Sequence, residues 1–160
     1  HLSLKALTVD AGIDVLSFGG TKNGLMLGEC VIVFDEEAKK YAKFFRKQSA
    51  QLASKLRYLS CQFTPYLETG IWLTNAQHAN AMAQKLYSAL NNFSSIRFTQ
   101  KVESNQLFMA MPRPLIEYLQ QKYFFYIWNE ANNEIRLVTS FDTKPEEIDE
   151  LVQAIEAFNK

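Results

Sequence analysis

The chain lacks the features that mark several large classes of protein. No apolar stretch in its 160 residues approaches the roughly 20 residues that a membrane-spanning helix needs. Basic and acidic residues number 17 each, so the net charge favours neither nucleic acid nor an anionic lipid surface as a partner. No segment resembles a secretory signal. We therefore predict a cytoplasmic protein with no nucleic-acid or membrane partner.

Cysteine and histidine are also scarce. Cys30 and Cys61 lie far apart and form no C-x-x-C motif, which favours buried free thiols over a disulfide. His78 has no second histidine, cysteine or carboxylate at ligand spacing. The sequence therefore predicts no metal site.

The apolar residues, 48% of the chain, are enough for a sizeable core and recur with clear periods. Asp35 is a suitable N-cap for a long helix, which we expect to be interrupted near 48–49 and to end or bend at Thr64–Pro65. The pattern predicts helices over 36–63, 74–90 and 113–121, and strands over 13–18, 30–34, 96–99, 107–111, 123–128 and 135–141. Thr143 and Glu146 predict a capping box for a last helix with Pro145 in its first turn.

These elements predict an α/β fold in two parts. Residues 1–50 have the pattern of the closing edge of an α/β sheet, and residues 51–160 that of a small α+β domain with a mostly antiparallel sheet. The aromatic run 123–128 is interpreted as core of that sheet. The continuous apolar run 30–34 is typical of a strand covered on both faces, which two strands alone cannot achieve. Because the chain also begins with histidine rather than methionine, we expect an amino-terminal portion to be missing.

The most informative segment is the stretch of eight residues from Ser17 to Gly24. It places Lys22 on a glycine-lined turn between two apolar runs, which predicts a strand, a tight loop and a strand with an amine at the tip. Flanking glycines would let a bulky group approach the backbone, as a carbonyl cofactor bound to the lysine requires. The alternative is a solvated lysine beside ordinary hairpin glycines.

Residues 14–24 resemble the cofactor-lysine segment of the β-eliminating lyase/threonine aldolase family, in particular of the low-specificity L-threonine aldolases. Residues 51–57, 78–83 and 135–140 carry further similarity in the same order along the chain. The resemblance implies a pyridoxal 5'-phosphate enzyme with an aspartate-aminotransferase-like fold and about twice this length. Residues 1–50 would then close the cofactor-binding large domain, and residues 51–160 would form the small carboxy-terminal domain.

The resemblance also implies an activity and partners. The whole protein would cleave L-threonine or L-allo-threonine, small β-hydroxy amino acids, to glycine and an aldehyde. This chain would act together with the missing amino-terminal half, in a homodimer or homotetramer. Two alternatives stay open, namely a β-eliminating lyase for aromatic amino acids and a non-catalytic α+β fragment that only packs with other chains.

Four residues receive roles from the resemblance. Lys22 would bind the cofactor aldehyde covalently, and Arg136 would hold the substrate carboxylate in a two-point fork. The alternative for Arg136 is an outward-facing residue on a half-exposed strand. Thr21 would donate its hydroxyl to the cofactor phosphate or else cap the turn. Lys55, with its neighbour Ser54, would approach the phosphate or belong to a solvated helix face.

One basic cluster lies outside this site, on the first long helix, beside the acidic residues Glu36 and Glu37. A nucleic-acid site would need aromatic stacking partners as well as basic residues. We interpret the cluster as a solvated face near a subunit contact. Its members are Lys39, Lys40, Lys43, Arg46 and Lys47.

Overall fold

The computed structural model describes residues 2–159, which form two compact units dividing between Trp72 and Leu73. The first unit therefore extends beyond the predicted division at residue 50. The assignment of residues 1–50 and 51–160 to two domains of a longer protein stays a prediction. None of the helices within residues 2–159 has both the length and the apolar character that crossing a bilayer requires.

The first unit is built on an antiparallel hairpin, β1 (Val15–Gly19) and β2 (Glu29–Val33), in a register that pairs Val15 with Val33 and Gly19 with Glu29. The helices are α1 (Leu4–Leu7), α2 (Glu36–Gln48), α3 (Arg57–Ser60) and α4 (Phe63–Glu68). As predicted, the Asp35 carboxylate caps α2 by accepting the Ala38 N–H at 2.7 Å.

As expected, the long helix is interrupted near 48–49, because α2 ends at Gln48 and a left-handed residue follows shortly after. The prediction of helix over the rest of 36–63 is wrong for 49–56, which are not helical. Ala50 has φ of 57°, its N–H donates to the Lys47 carbonyl at 3.2 Å, and the Gln51 N–H donates to the Arg46 carbonyl at 2.9 Å. These two bonds form a Schellman motif. Pro65 does not end a helix as expected. It lies in the first turn of α4, where a missing N–H costs no hydrogen bond.

The second unit combines helices with a four-stranded antiparallel sheet of order β3-β4-β6-β5, which confirms the expected mixed α/β character with antiparallel sheets. The strands are β3 (Arg97–Phe98), β4 (Gln106–Ala110), β5 (Tyr126–Asn129) and β6 (Glu134–Val138). The helices are α5 (Ile71–Leu90), which crosses the division between the units, α6 (Arg113–Gln120) and α7 (Pro145–Phe158).

The core of the second unit lies between one face of this sheet and the helices. Leu107, Met109 and Ile135 point to that face and are fully buried. Alternate residues of the same strands point to the opposite, outer face of the sheet. The other buried members of the core are Ala83, Leu86, Leu90, Ile96, Met111, Leu115, Ile116, Leu119, Phe125, Ile148 and Ile155.

The aromatic run 123–128 is only partly core, which corrects the sequence interpretation. Phe125 is buried, whereas Phe124, Tyr126 and Trp128 are 85%, 61% and 54% exposed. The reason is that β5 is an edge strand of a sheet that the helices of this unit cover on one face, so alternate side chains face outward.

Two further expectations differ from the structure. The N-cap of α7 is Lys144, whose N–H donates to the Glu147 carboxylate at 2.8 Å, while the Thr143 hydroxyl accepts the Ser140 N–H instead. Cys30 and Cys61 are both free thiols, yet neither is buried. Val31 on β2 is 66% exposed, which agrees with the expectation that two strands alone cannot cover the apolar run 30–34.

Candidate active site

Lys22 lies in the middle of a 3₁₀ turn, Thr21–Asn23, that follows β1 directly, and its side chain is exposed. Hydrogen bonds between backbone groups of the loop itself close it. The N–H groups of Gly20 and Thr21 both donate to the Gly28 carbonyl, at 2.9 and 3.1 Å, and the Leu25 N–H donates to the Gly20 carbonyl at 3.0 Å. The structure thus confirms the predicted strand, tight loop and strand, with the amine on a turn whose shape is fixed by its own hydrogen bonds.

The buried glycines of this loop are needed for packing within the protein. A Cβ on Gly20 would lie 2.4 Å from Cδ1 of Leu25 and 3.0 Å from the Gly28 carbonyl oxygen. A Cβ on Gly28 would lie 2.9 Å from Cε2 of Phe63. Gly20 and Gly28 are therefore required where the loop packs against Leu25 and against α4, and the approach of a cofactor to the glycine-lined turn stays a prediction.

Thr21 uses its hydroxyl within the same loop. The hydroxyl oxygen accepts the Gly28 N–H at 2.9 Å and donates to the Gly28 carbonyl at 3.4 Å. The Thr21 N–H also lies 3.3 Å from Oε1 of Glu29. This geometry favours the turn-capping alternative, and a phosphate contact of Thr21 stays a prediction.

Asn23, next to the lysine, ties the turn to the helical part of the first unit. Its Nδ2 donates to the Tyr66 phenol oxygen at 2.6 Å and to the Trp72 carbonyl at 2.8 Å. Tyr66 is 2% exposed, and the rings of Phe18 and Phe63 lie 6.3 and 6.4 Å from its ring. Sequence reasoning gave Asn23 and Tyr66 no role, because 43 residues separate them and no local pattern predicts the pairing.

We expect Asn23→Ala to lower the unfolding free energy of the complete protein by about 1–3 kcal/mol, because it leaves the buried Tyr66 hydroxyl without its donor. Tyr66→Phe removes that hydroxyl. Tyr66→Phe should therefore lower the unfolding free energy by less in the Asn23→Ala variant than in the unmodified protein. A double-mutant cycle by urea denaturation measures this coupling. Asn80→Ala, at an exposed position of α5, is the control. Strictly additive losses would contradict the pairing.

The same tyrosine gives a pH dependence. Burial, and to a lesser degree the negative charge of Glu29, raise the pKa of Tyr66 above its usual value of 10.0, while the Asn23 hydrogen bond opposes this. Because the unfolded chain then loses the phenol proton at a lower pH than the folded chain, stability is full below pH 10 and falls as the pH rises further. Tyr66→Phe should flatten this alkaline decline in denaturation measured from pH 9 upward.

The other basic candidates of the first unit are on its surface. Lys55 is exposed in the irregular segment before α3, so the expected helix face does not exist there. On α2, Lys39 pairs with Glu36 and Lys40 with Glu37, each at 2.5 Å and each exposed. The pairs agree with a solvated helix face, while a phosphate contact of Lys55 and a nearby subunit contact stay predictions.

Arg136 lies in the second unit on β6, which is paired on both sides, with β4 and with β5. Its register partners are Phe108 on β4 and Tyr126 on β5, and the three side chains share the outer face of the sheet. The guanidinium carbon is 5.1 Å from the centre of the Trp128 ring. Nε is buried and has no hydrogen-bond acceptor. The outward-facing orientation is therefore observed, but it comes with partial burial and an unsatisfied donor.

The structure brings Thr21 beside Lys22, and it holds Arg136 in the other compact unit. His78 makes a hydrogen bond within the second unit, with Nε2 lying 2.8 Å from the Thr143 carbonyl oxygen. Within residues 2–159, no three histidine, cysteine or acidic side chains lie close enough together to hold a metal ion.

Comparisons with known proteins match nearly the whole chain. It is 38% identical over 151 residues to the low-specificity L-threonine aldolase of Pseudomonas sp. (strain NCIMB 10558), covering 94% of this chain and 44% of that protein. It is 34% identical over 149 residues to the low-specificity L-threonine aldolase of Pseudomonas aeruginosa, covering 93% and 43%. The chain thus spans less than half the length of these relatives.

The structure of Leishmania major threonine aldolase superposes with a TM-score of 0.86 at 26% identity, covering 95% of this chain and 45% of that one. No family model matches the chain. The resemblance drawn from residues 14–24 is therefore confirmed by sequence and by fold, and the chain is similar to the carboxy-terminal portion of low-specificity L-threonine aldolases.

Proposed function

We propose that the complete protein is a carbon–carbon lyase that cleaves L-threonine or L-allo-threonine to glycine and an aldehyde, with pyridoxal 5'-phosphate as cofactor. The observation that carries this proposal is the presentation of Lys22 on an internally hydrogen-bonded turn, in a chain similar to threonine aldolases. Lys22 has no ion pair with any of residues 2–159, so its amine is available for covalent binding of an aldehyde.

The residues of this chain fit such a cofactor in two respects. Lys22 supplies the amine that would hold it, and the backbone of the turn fixes where that amine is presented. Pyridoxal phosphate supplies an electron sink for cleavage of the bond between Cα and Cβ. Thr21 and Lys55 are the residues of this chain proposed to approach its phosphate, Thr21 only if its hydroxyl turns away from Gly28.

Arg136 is proposed to bind the substrate carboxylate. A guanidinium offers two parallel N–H donors that match the two oxygens of a carboxylate. No group among the described residues accepts a hydrogen bond from Nε, which is buried, and no ion pair holds the guanidinium, so no acceptor of the protein competes with an anion for the terminal nitrogens. By fixing the carboxylate, Arg136 would set the torsion that places the breaking bond for reaction, which is a positioning effect.

The exposed apolar surface of the first unit supports the proposed partner, an amino-terminal half of the same protein. Val31 and Met26 are 66% and 92% exposed on and beside the hairpin. Residues 1–50 would complete a cofactor-binding large domain with that half, and residues 51–160 would form the small domain. We further propose a homodimer or homotetramer located in the cytoplasm.

The test is covalent labelling. The complete protein is incubated with pyridoxal phosphate, reduced with borohydride and digested, and the labelled peptide is identified by mass spectrometry. We expect the label on Lys22, and glycine plus acetaldehyde from threonine. A label on another lysine would refute the site. Ammonia and a keto acid in place of glycine would indicate a β-eliminating lyase instead.

A further inference from the structure

The outer face of the second unit's sheet has a distinctive composition around Arg136. Phe108 and Tyr126 flank it in register, and Trp128 lies over its guanidinium. No carboxylate forms an ion pair with Arg136 in the part of the chain that the structure describes. Its charge is therefore compensated within this unit by an aromatic face rather than by an acid.

Trp128 reaches this position through an irregularity in β5. The pairing with β6 shifts register between Ile127 and Asn129, so Trp128 is the extra residue at the shift. Such bulges redirect side chains. Phe108 then packs against the indole, with ring centres 5.3 Å apart and planes at 75°. The indole is thus fixed from one side by Phe108 while its ring centre lies 5.1 Å from the Arg136 guanidinium carbon.

This arrangement restricts the guanidinium without using its donors. A cation over an indole face is attracted to the ring, whereas an acid in the same place would occupy the hydrogen-bonding edge. The terminal nitrogens of Arg136 therefore remain available for an incoming anion, whereas Nε is buried, and the guanidinium is held beside the indole in advance. Holding a group in advance lowers the entropy lost on binding.

We propose that Trp128 is a positioning residue that holds the Arg136 guanidinium for the substrate carboxylate, with Phe108 supporting the indole. The proposal rests on the proposed function of Arg136. It predicts that Trp128 affects ligands that carry a carboxylate and spares matched ligands that do not.

The experiment uses the complete protein loaded with cofactor and compares binding of glycine with binding of glycinamide, by titration calorimetry. Trp128→Leu should weaken glycine binding by about 3–10-fold and leave glycinamide within about twofold. Trp128→Phe keeps an aromatic face and should weaken glycine binding by a smaller factor. Phe108→Leu keeps Trp128 but removes the ring that packs against it, and it should also weaken glycine binding. Phe124→Leu, an exposed aromatic that contacts Tyr126 rather than Arg136, is the matched control.

The outcomes separate the two proposals. Equal weakening of glycine and glycinamide, or no weakening by either Trp128 variant, overturns the positioning role while the function of the protein stands. If the unmodified protein binds glycine no better than glycinamide, the carboxylate role of Arg136 is wrong and the positioning role falls with it. Selective weakening of glycine, graded from leucine to phenylalanine, supports it. Should Trp128→Leu fail to fold, Trp128→Phe and Phe108→Leu decide by the same comparison.

Discussion

Lys22→Ala in the complete protein is expected to lower glycine production from threonine by at least about 10³-fold, because it removes the amine proposed to react with the cofactor. The yellow colour of the bound cofactor should be lost as well. Since the turn is closed by backbone hydrogen bonds of Gly20, Thr21 and Gly28, the substitution should leave the fold intact. Steady-state glycine release and the visible absorption spectrum measure the two effects.

Two variants control this result. Lys22→Arg keeps a positive charge at the tip of the turn but cannot form the same covalent bond, so it should be as inactive as the alanine variant. Lys40→Ala removes an exposed lysine that pairs with Glu37 on α2 and should keep activity within about twofold. If Lys22→Ala kept both its colour and its glycine production, the proposed function would be wrong.

Arg136→Lys is expected to lower kcat/KM for threonine by about 10²-fold while the cofactor stays bound. The substitution keeps one positive charge, but an ammonium group cannot reproduce the two-point fork. It also loses the planar guanidinium that lies beside the Trp128 ring. Because the carboxylate would set the orientation of the breaking bond, both KM and kcat should change. Initial rates over a range of threonine concentrations measure both.

The matched control for this change is Arg97→Lys. Arg97 is exposed on β3, an edge strand of the same sheet, so its replacement should change kcat/KM by less than about twofold. A threonine derivative with an amide in place of its carboxylate should show little difference between the unmodified protein and Arg136→Lys. An equal loss of kcat/KM with both substrates would indicate that Arg136 stabilises the sheet and does not bind the substrate carboxylate.

The lysine hairpin could be predicted because its determinants are local. The apolar runs, the glycines and the lysine follow one another within a few residues, and the observed pairing of Val15 with Val33 agrees with that order. The interruption of the long helix near 48–49 was also expected, but the motif that ends α2 could not be predicted in the same way. A Schellman motif is usually marked by glycine, and here the left-handed position is occupied by Ala50.

The surroundings of the candidate site depend on tertiary contacts, and sequence reasoning missed them for that reason. Asn23 meets Tyr66 only through the packing of α4, although its place beside Lys22 was visible in the motif. Trp128 meets Arg136 only because β5 and β6 pair with a shifted register. The aromatic run 123–128 carried a signal for this contact, but its periodicity alone did not show which rings point outward.

The lysine hairpin also has a kinetic consequence. Hydrogen bonds between residues close in sequence form early, and an isolated hairpin closes on the order of microseconds. The loop around Lys22 is closed by bonds of this short range, whereas the Asn23 contact to Tyr66 waits for a segment 43 residues away. During synthesis, the bend that presents the amine would therefore take shape first, and its anchoring to α4 would follow as a separate, slower event.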